Sequence, residues 1–188
     1  MVTLPVEKVV IFCGMPGSGK SIGATVAKNL GIPVFVMGDI IREEVTRRNL
    51  SHSPQTLGRI MIELREKFGP AIIAKRIIGK FSNIAGKNLV IDGARSEAEI
   101  KAFQDAVDHV LVVAVHASPQ IRFQRLSQRG REDDSLTRET FRQRDTRELD
   151  VGLGRIIAQA DIMIVNEGKY NKLKSRVRQV LVKEFNIE

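Results

Sequence analysis

Apolar positions along the chain switch repeatedly between the continuous runs of buried strands and the i, i+3, i+4 spacing of amphipathic helices. A short β-rich run over residues 9–13 stops at Gly14, and from Lys20 the pattern turns helical, with Ile22, Val26, Ala27 and Leu30 on one face. Gly31 and Pro33 end that helix, residues 34–36 supply a second short strand, and Ile40, Ile41 and Val45 begin a second helix. Leu57, Ile60, Met61, Leu64 and Phe68 keep helical spacing until Gly69 and Pro70 close the element and open another over Ile72, Ile73, Ile77, Ile78 and Phe81. The pattern therefore predicts two helices between the second and third strands. Residues 89–91 read as the third strand, and Ser96 with Glu99 as a capping box for the helix that follows. The run 110–115 is continuous, as in a fully buried parallel strand. Ser118 and Pro119 start a further helix, a polar stretch covers 130–135, helical pattern resumes, and residues 162–165 form a fifth strand before a last amphipathic helix. Strands alternating with helices imply an α/β fold, a parallel sheet covered on both faces.

A chain of 188 residues, 43% hydrophobic, can bury a substantial core, and its length favours one domain over residues 1–188. Cys13 stands alone, which excludes an internal disulfide, and no stretch is apolar and long enough for a membrane span or secretion signal. The expectation is a cytoplasmic protein without a membrane partner. A net charge of +8 suits an anionic partner, and its distribution decides which one.

Gly14-Met15-Pro16-Gly17-Ser18-Gly19-Lys20-Ser21 fits G-x-x-x-x-G-K-[ST] at every fixed position and lies between a strand and a helix. Glycines there let backbone N–H groups turn in around phosphates, the helix N-terminus adds its dipole, Lys20 reaches the β and γ oxygens, and Ser21 offers a hydroxyl to magnesium. Nucleotide phosphate, with ATP and Mg2+, is the ligand this loop calls for. Asp92 ends the third strand, where a Walker B acid would hold the hydration shell of the metal.

Between Arg122 and Arg147 the chain places eight arginines and no lysine. Guanidinium forks grip phosphate oxygens bidentately, and Arg125, Arg129 and Arg131 are the candidates to close over a transferring phosphoryl group. Six acids accompany them, counting Glu148 just beyond, and leave an excess of only two positive charges, which argues against a nucleic-acid surface. From Lys169 onward six basic residues face two acids, with Leu173, Val177, Val180 and Leu181 on the opposite side, the pattern of a solvated helix packed on the sheet. His52, His109 and His116 have no metal-ligand spacing.

These motifs resemble those of nucleoside monophosphate kinases, and adenylate kinase in particular. The P-loop is similar to theirs, and Gly38-Asp39-Ile40-Ile41-Arg42 resembles their Gly-Asp-x-x-Arg acceptor motif. Asp92-Gly93-Ala94-Arg95 resembles their Asp-Gly-x-x-Arg segment with spacing one residue shorter and the usual proline absent, and Met37 replaces their threonine. The resemblance implies Gly38, Asp39, Arg42 and Arg95 as acceptor-binding residues. Residues 160–168 look more like dephospho-CoA kinases, which implies Asn166 and Gly168 beside the adenine of ATP. Over nearly its full length the chain resembles archaeal adenylate-kinase-related P-loop proteins.

The family likeness implies a P-loop NTPase kinase fold with strand order 2-3-1-4-5, an acceptor-binding helical insert near residues 39–81 and a lid near 125–147. The expected activity is ATP- and Mg2+-dependent phosphoryl transfer to a small phosphorylated acceptor, most simply a nucleoside monophosphate. Lys20, Arg125, Arg129, Arg131 and Asp39 would be the catalytic group. Two alternatives stay open: transfer to a hydroxyl, for which Asp39 would be the base, and a nucleotide-gated binding module or slow NTPase.

Overall fold

Residues 5–129 and 137–187 are described by the computed structural model of the chain. Five strands, β1 (Lys8–Cys13), β2 (Val34–Val36), β3 (Asn88–Asp92), β4 (His109–His116) and β5 (Ile162–Val165), form one all-parallel sheet in the order β2-β3-β1-β4-β5. This is the expected 2-3-1-4-5 arrangement. β1 is central and flanked by β3 and β4, with Ile11 beside Ile91 on one side and Val112 on the other. Val9 to Cys13 are wholly buried, the reason this strand reads as an unbroken apolar run.

Nine helices cover the two faces among the described residues: α1 (Ile22–Asn29), α2 (Met37–Arg47), α3 (Pro54–Phe68), α4 (Ile72–Ile78), α5 (Glu97–Gln104), α6 (Pro119–Arg129), α7 (Arg138–Asp150), α8 (Leu153–Ala158) and α9 (Tyr170–Phe185). On one face Ile11, Ile91 and Ala114 pack against Ile40, Ile60, Leu64, Ile73, Phe103 and Ile156 of α2–α5 and α8. On the other, Val10, Phe12, Val113 and Ile164 meet Val26 and Ala27 of α1 and Leu173, Val177 and Leu181 of α9. Fully burying one such Ile, Leu or Val contributes about 1.5–3 kcal/mol, so strand and helix faces together hold the layered core. No helix among the described residues is long and apolar enough to cross a membrane.

The segment between β2 and β3 departs from expectation. Three helices stand there and not two, because the chain breaks after Arg47: Asn49 takes a left-handed φ of 54°, Ser53 caps the next helix by accepting from the Thr56 N–H at 3.2 Å, and Pro54 opens it. Phe81 falls in a 3-10 turn (Phe81–Asn83) after α4. The Ser96–Glu99 box is half formed. Ser96 accepts from the Glu99 N–H, but the Glu99 carboxylate takes the N–H of Arg95 (2.7 Å) and pairs with Arg65 of α3 (2.6 Å). It thus spends its charge on fixing the loop after β3.

Glu44 knots the three-helix arm together. Its carboxylate, on α2, receives Arg47 and Arg48 of the same segment and Arg76 of α4, while Arg48 also reaches Glu63 on α3. The Arg47 hydrogen bond leads these partners in holding the carboxyl at about 2 against the opposing pull of burial.

Candidate functional site

The sheet order reverses at β1, so its carboxyl end opens between the connections to β3 and β4, the place where parallel α/β sheets bind ligands. The P-loop leaves β1 there and wraps the start of α1. Its glycines are imposed by space as much as by φ. A Cβ on Gly14 would stand 2.3 Å from the Val115 carbonyl oxygen, and one on Gly17 (φ 80°) 2.7 Å from that of Arg122. The loop is closed from behind by buried side chains. Arg122, on α6, donates to the Pro16 carbonyl at 3.1 Å and forks onto Asp145 of α7, and Asn166 donates from Nδ2 to the Ser18 carbonyl at 2.7 Å. Met15 packs on the core under the loop.

Lys20 and Ser21 line a cleft with Gly14, Pro16, Gly17, Gly38, Arg42, Asp92, Arg95, Arg129, Arg144 and Glu148. Burial, joined by repulsion from Arg95 and Arg144, pushes the Lys20 ammonium below its ordinary range, against the attraction of Asp92 and Glu148. Asp92 is 4% exposed, and its buried Oδ1 has no hydrogen-bond partner among the described residues. An orphaned carboxylate oxygen beside a phosphate loop and the Ser21 hydroxyl fits a hydrated magnesium ion, which takes few protein ligands and relies on water and substrate phosphate.

A second cleft adjoins the first and shares Gly38, Arg42, Arg95, Arg144 and Glu148 with it. Its other walls are Ile41 of α2, Pro54, Leu57, Gly58 and Met61 of α3, and Arg147 of α7. Arg42 donates to Asp39 Oδ1 one turn earlier on α2, both side chains being about half exposed. Arg95 donates from Nε to Glu148 Oε2 at 2.6 Å. Burial opposes the charge on Glu148, yet the Arg95 guanidinium, with Arg144 and Lys20, holds its carboxyl below the usual range. Arg147 is depressed by burial and by the positive charge of Arg144 and Arg95, in spite of Glu148.

The anticipated residues thus fall into three places. Gly14, Pro16, Gly17, Lys20, Ser21 and Asp92 meet Gly38, Arg42, Arg95 and Arg129 in the joined clefts. Gly19, Arg125, Asn166 and Gly168 line a separate hollow with Ile22 and Tyr170. Arg125 is spent on the Asn166 and Ser18 carbonyls (3.0 and 3.5 Å), and Asp39 lies outside the lining of both clefts and meets them only through Arg42. Ser18 is buried within the loop, and Arg131 lies outside the described residues. Arg144, Arg147 and Glu148 were not singled out from sequence. They sat among many charges on one helix, and nothing local marks the side of α7 that turns to α3.

The family model described as an AAA domain matches residues 13–142. A UPF0200 protein of Hyperthermus butylicus is 43% identical over 173 residues, 92% of each chain. Among solved structures, a shikimate kinase from Acinetobacter baumannii in complex with shikimate covers 98% of this chain and 97% of its own at a TM-score of 0.56 and 16% identity. A gluconokinase from Sinorhizobium meliloti 1021 superimposes with the same TM-score and identity over 98% and 96%. At that identity the likeness establishes the P-loop kinase fold and nothing finer. The phosphate loop at the head of the matched stretch and the near full-length relative agree: the chain belongs to the UPF0200 family and is built on a P-loop domain of the AAA type.

Proposed function

We propose that the protein is an ATP- and Mg2+-dependent phosphotransferase acting on a small phosphorylated acceptor, a nucleoside monophosphate in the first instance, as in adenylate kinase. The observation that carries this reading is the pair of joined clefts, one lined by the P-loop and the other by Arg42, Arg95, Arg144 and Arg147. A simple hydrolase has no use for a second phosphate site. In a loose phosphoryl-transfer transition state, charge develops on oxygens all around the transferring group, so positioning and cations are most of catalysis.

The P-loop N–H groups and Lys20 hold the donor phosphates, while Ser21 and Asp92 are the residues to hold magnesium, which when bound neutralises charge on the donor oxygens. Arg42, Arg95 and Arg147 seat the acceptor phosphate against α2 and α3, and Arg144 and Arg129 flank the point where the clefts meet. A monophosphate dianion is already a nucleophile at neutral pH and needs no base. Ile41, Leu57 and Met61 offer apolar area to the rest of the acceptor. On the donor side, the hollow beside Asn166 and Gly168 is the place for the base. Asn166 works there through the Ser18 carbonyl. The arm over 39–81 serves as acceptor insert and the segment 125–147, of which 130–136 lie outside the described residues, as lid within one domain.

Transfer to a hydroxyl is the second reading, and one observation favours it. Glu148 adds to the lining of both clefts an acid besides Asp39 and the magnesium-holding Asp92, and a hydroxyl acceptor needs a carboxylate to take its proton. Paired measurements on Asp39→Asn and Arg42→Ala test the choice. Under the monophosphate reading Asp39→Asn keeps substantial transfer and Arg42→Ala is the more damaging. Turnover of dephospho-CoA alone, lost in Asp39→Asn or in Glu148→Gln, would overturn it.

A further inference from the structure

A cleft that gathers cations for phosphate must also be stable without phosphate. Lys20, Arg42, Arg95, Arg144 and Arg147 converge here, and burial depresses Lys20 and Arg147, with repulsion from Arg95 and Arg144 adding to it. Against them Glu148 is the acid shared by both clefts. Its side chain is 4% exposed, it holds Arg95 at 2.6 Å, and it faces Arg95 from the β3 loop, Arg144 from its own helix and Lys20 from the P-loop.

We propose that Glu148 is the resident counter-anion of the acceptor cleft, a positioning residue that holds Arg95 in the ligand-free protein and yields that guanidinium to an incoming phosphate. The proposal deepens the two-phosphate reading of the site and rests on it. An arginine fork accepts carboxylate and phosphate oxygens with the same geometry, so one anion can replace the other on Arg95. Both cannot sit there comfortably, because a phosphate on Arg95 would bring like charge against a buried carboxylate. The backbone needs no rearrangement for the exchange, since the Arg95 N–H stays fixed by Glu99, itself anchored to Arg65. Arg42 repeats the arrangement on the open side of the cleft, where exposed Asp39 holds it. Placing the counter-anion on α7 also links acceptor binding to that helix: once Arg95 takes phosphate, the ion pair tying α7 to the β3 loop is broken.

Calorimetric titration of inorganic phosphate, with thermal melts at fixed ionic strength, into the wild type, Glu148→Gln, Arg95→Met and the double variant tests this. Glu148→Gln should melt lower without ligand yet bind phosphate about tenfold tighter, a coupling of the size usual between linked sites. Arg95→Met should bind more weakly, and in its background the gain from Glu148→Gln should vanish, which separates this site from phosphate bound to the P-loop alone. If Glu148→Gln does not fold without ligand, Glu148→Asp should show a smaller gain of the same sign. Binding no tighter than wild type, or a gain that survives in Arg95→Met, would overturn the proposal. Phosphate binding is read without turnover, so failure of the kinase reading would show separately, as a wild type inactive on every monophosphate.

Discussion

The two halves of the joined cleft are made of different material. The half proposed for the donor is backbone: a loop of eight consecutive residues that would bind through its N–H groups, held from behind by Arg122 and Asn166 through carbonyls. The half proposed for the acceptor is side chain: guanidinium groups delivered by α2, the β3 loop and α7 onto an apolar wall from α2 and α3. A backbone cradle has its geometry once the loop folds. A cradle of long charged side chains needs acids to hold it open, and Asp39 and Glu148 supply them for Arg42 and Arg95, while Glu99 fixes the Arg95 backbone N–H. The contrast predicts that damage to the donor half strikes the rate, whereas damage to the acceptor half divides between acceptor affinity and stability.

Lys20→Ala carries the greatest expected loss, about 10²–10³-fold in kcat, the usual cost of removing one preorganised charge donor from a transition state. The fold should survive. Burial lowers the Lys20 pKa, so the folded state binds that proton less well than the unfolded chain, and the ligand-free protein gains stability as pH rises through the lowered value toward the ordinary lysine range. Lys20→Met should therefore melt no lower than wild type without ligand and lose most of the stabilisation by ATP, as thermal melts would show. A marked drop in ligand-free melting temperature would instead make Lys20 a structural residue.

Glu44→Gln probes the arm that carries the acceptor wall. Replacing a buried carboxylate that takes Arg47, Arg48 and Arg76 should cost about 2–3 kcal/mol in chemical denaturation at neutral pH, with kcat little changed. Because the folded carboxyl is held at about 2, its contribution is fully present above the ordinary value of 4.5 and is lost as pH falls from there toward 2. The gap between wild type and variant should close over that window. A gap independent of pH would mean that packing, not charge, is what Glu44 provides.

Arg147→Ala should raise the KM for acceptor about tenfold, equivalent to one charge-assisted hydrogen bond, and leave the KM for ATP near wild type. An equal rise in both would erase the division between the halves. Gly58→Ala is gentler. A Cβ there meets Arg147 Nη1 at 2.5 Å, the far end of a flexible side chain, so the guanidinium shifts and the helix gains up to about 1 kcal/mol from losing a glycine. Acceptor KM should rise by a small factor in initial-rate assays while the melting temperature holds or increases.

Legibility from sequence follows the same division. The phosphate loop is contiguous and its residue types are demanded by the backbone, so eight letters sufficed to place it, and the apolar strands gave the sheet order once a P-loop kinase likeness was admitted. Arg42 and Arg95 were found because each stands beside a strand end in a recognisable motif. Arg144, Arg147 and Glu148 were not, since α7 is polar almost all round and only tertiary packing selects the side that meets α3. The break between α2 and α3 hid for a related reason: Asn49 and Ser53-Pro54 are short local signals inside a longer run of helical spacing. Arg125, expected over the phosphoryl group, instead holds the carbonyls of Ser18 and Asn166, and residue type alone could not tell a fork on phosphate from a fork on backbone oxygen.

Whether the joined clefts hold two phosphates is decided by following ADP formation from Mg-ATP, with product identification, across a panel of nucleoside monophosphates, dephospho-CoA and unphosphorylated polyols. A cleft built for two phosphates predicts little ADP without acceptor, strong stimulation by at least one monophosphate, and the matching diphosphate as product. ADP formation that ignores every acceptor, or that responds only to a hydroxyl compound, would contradict it.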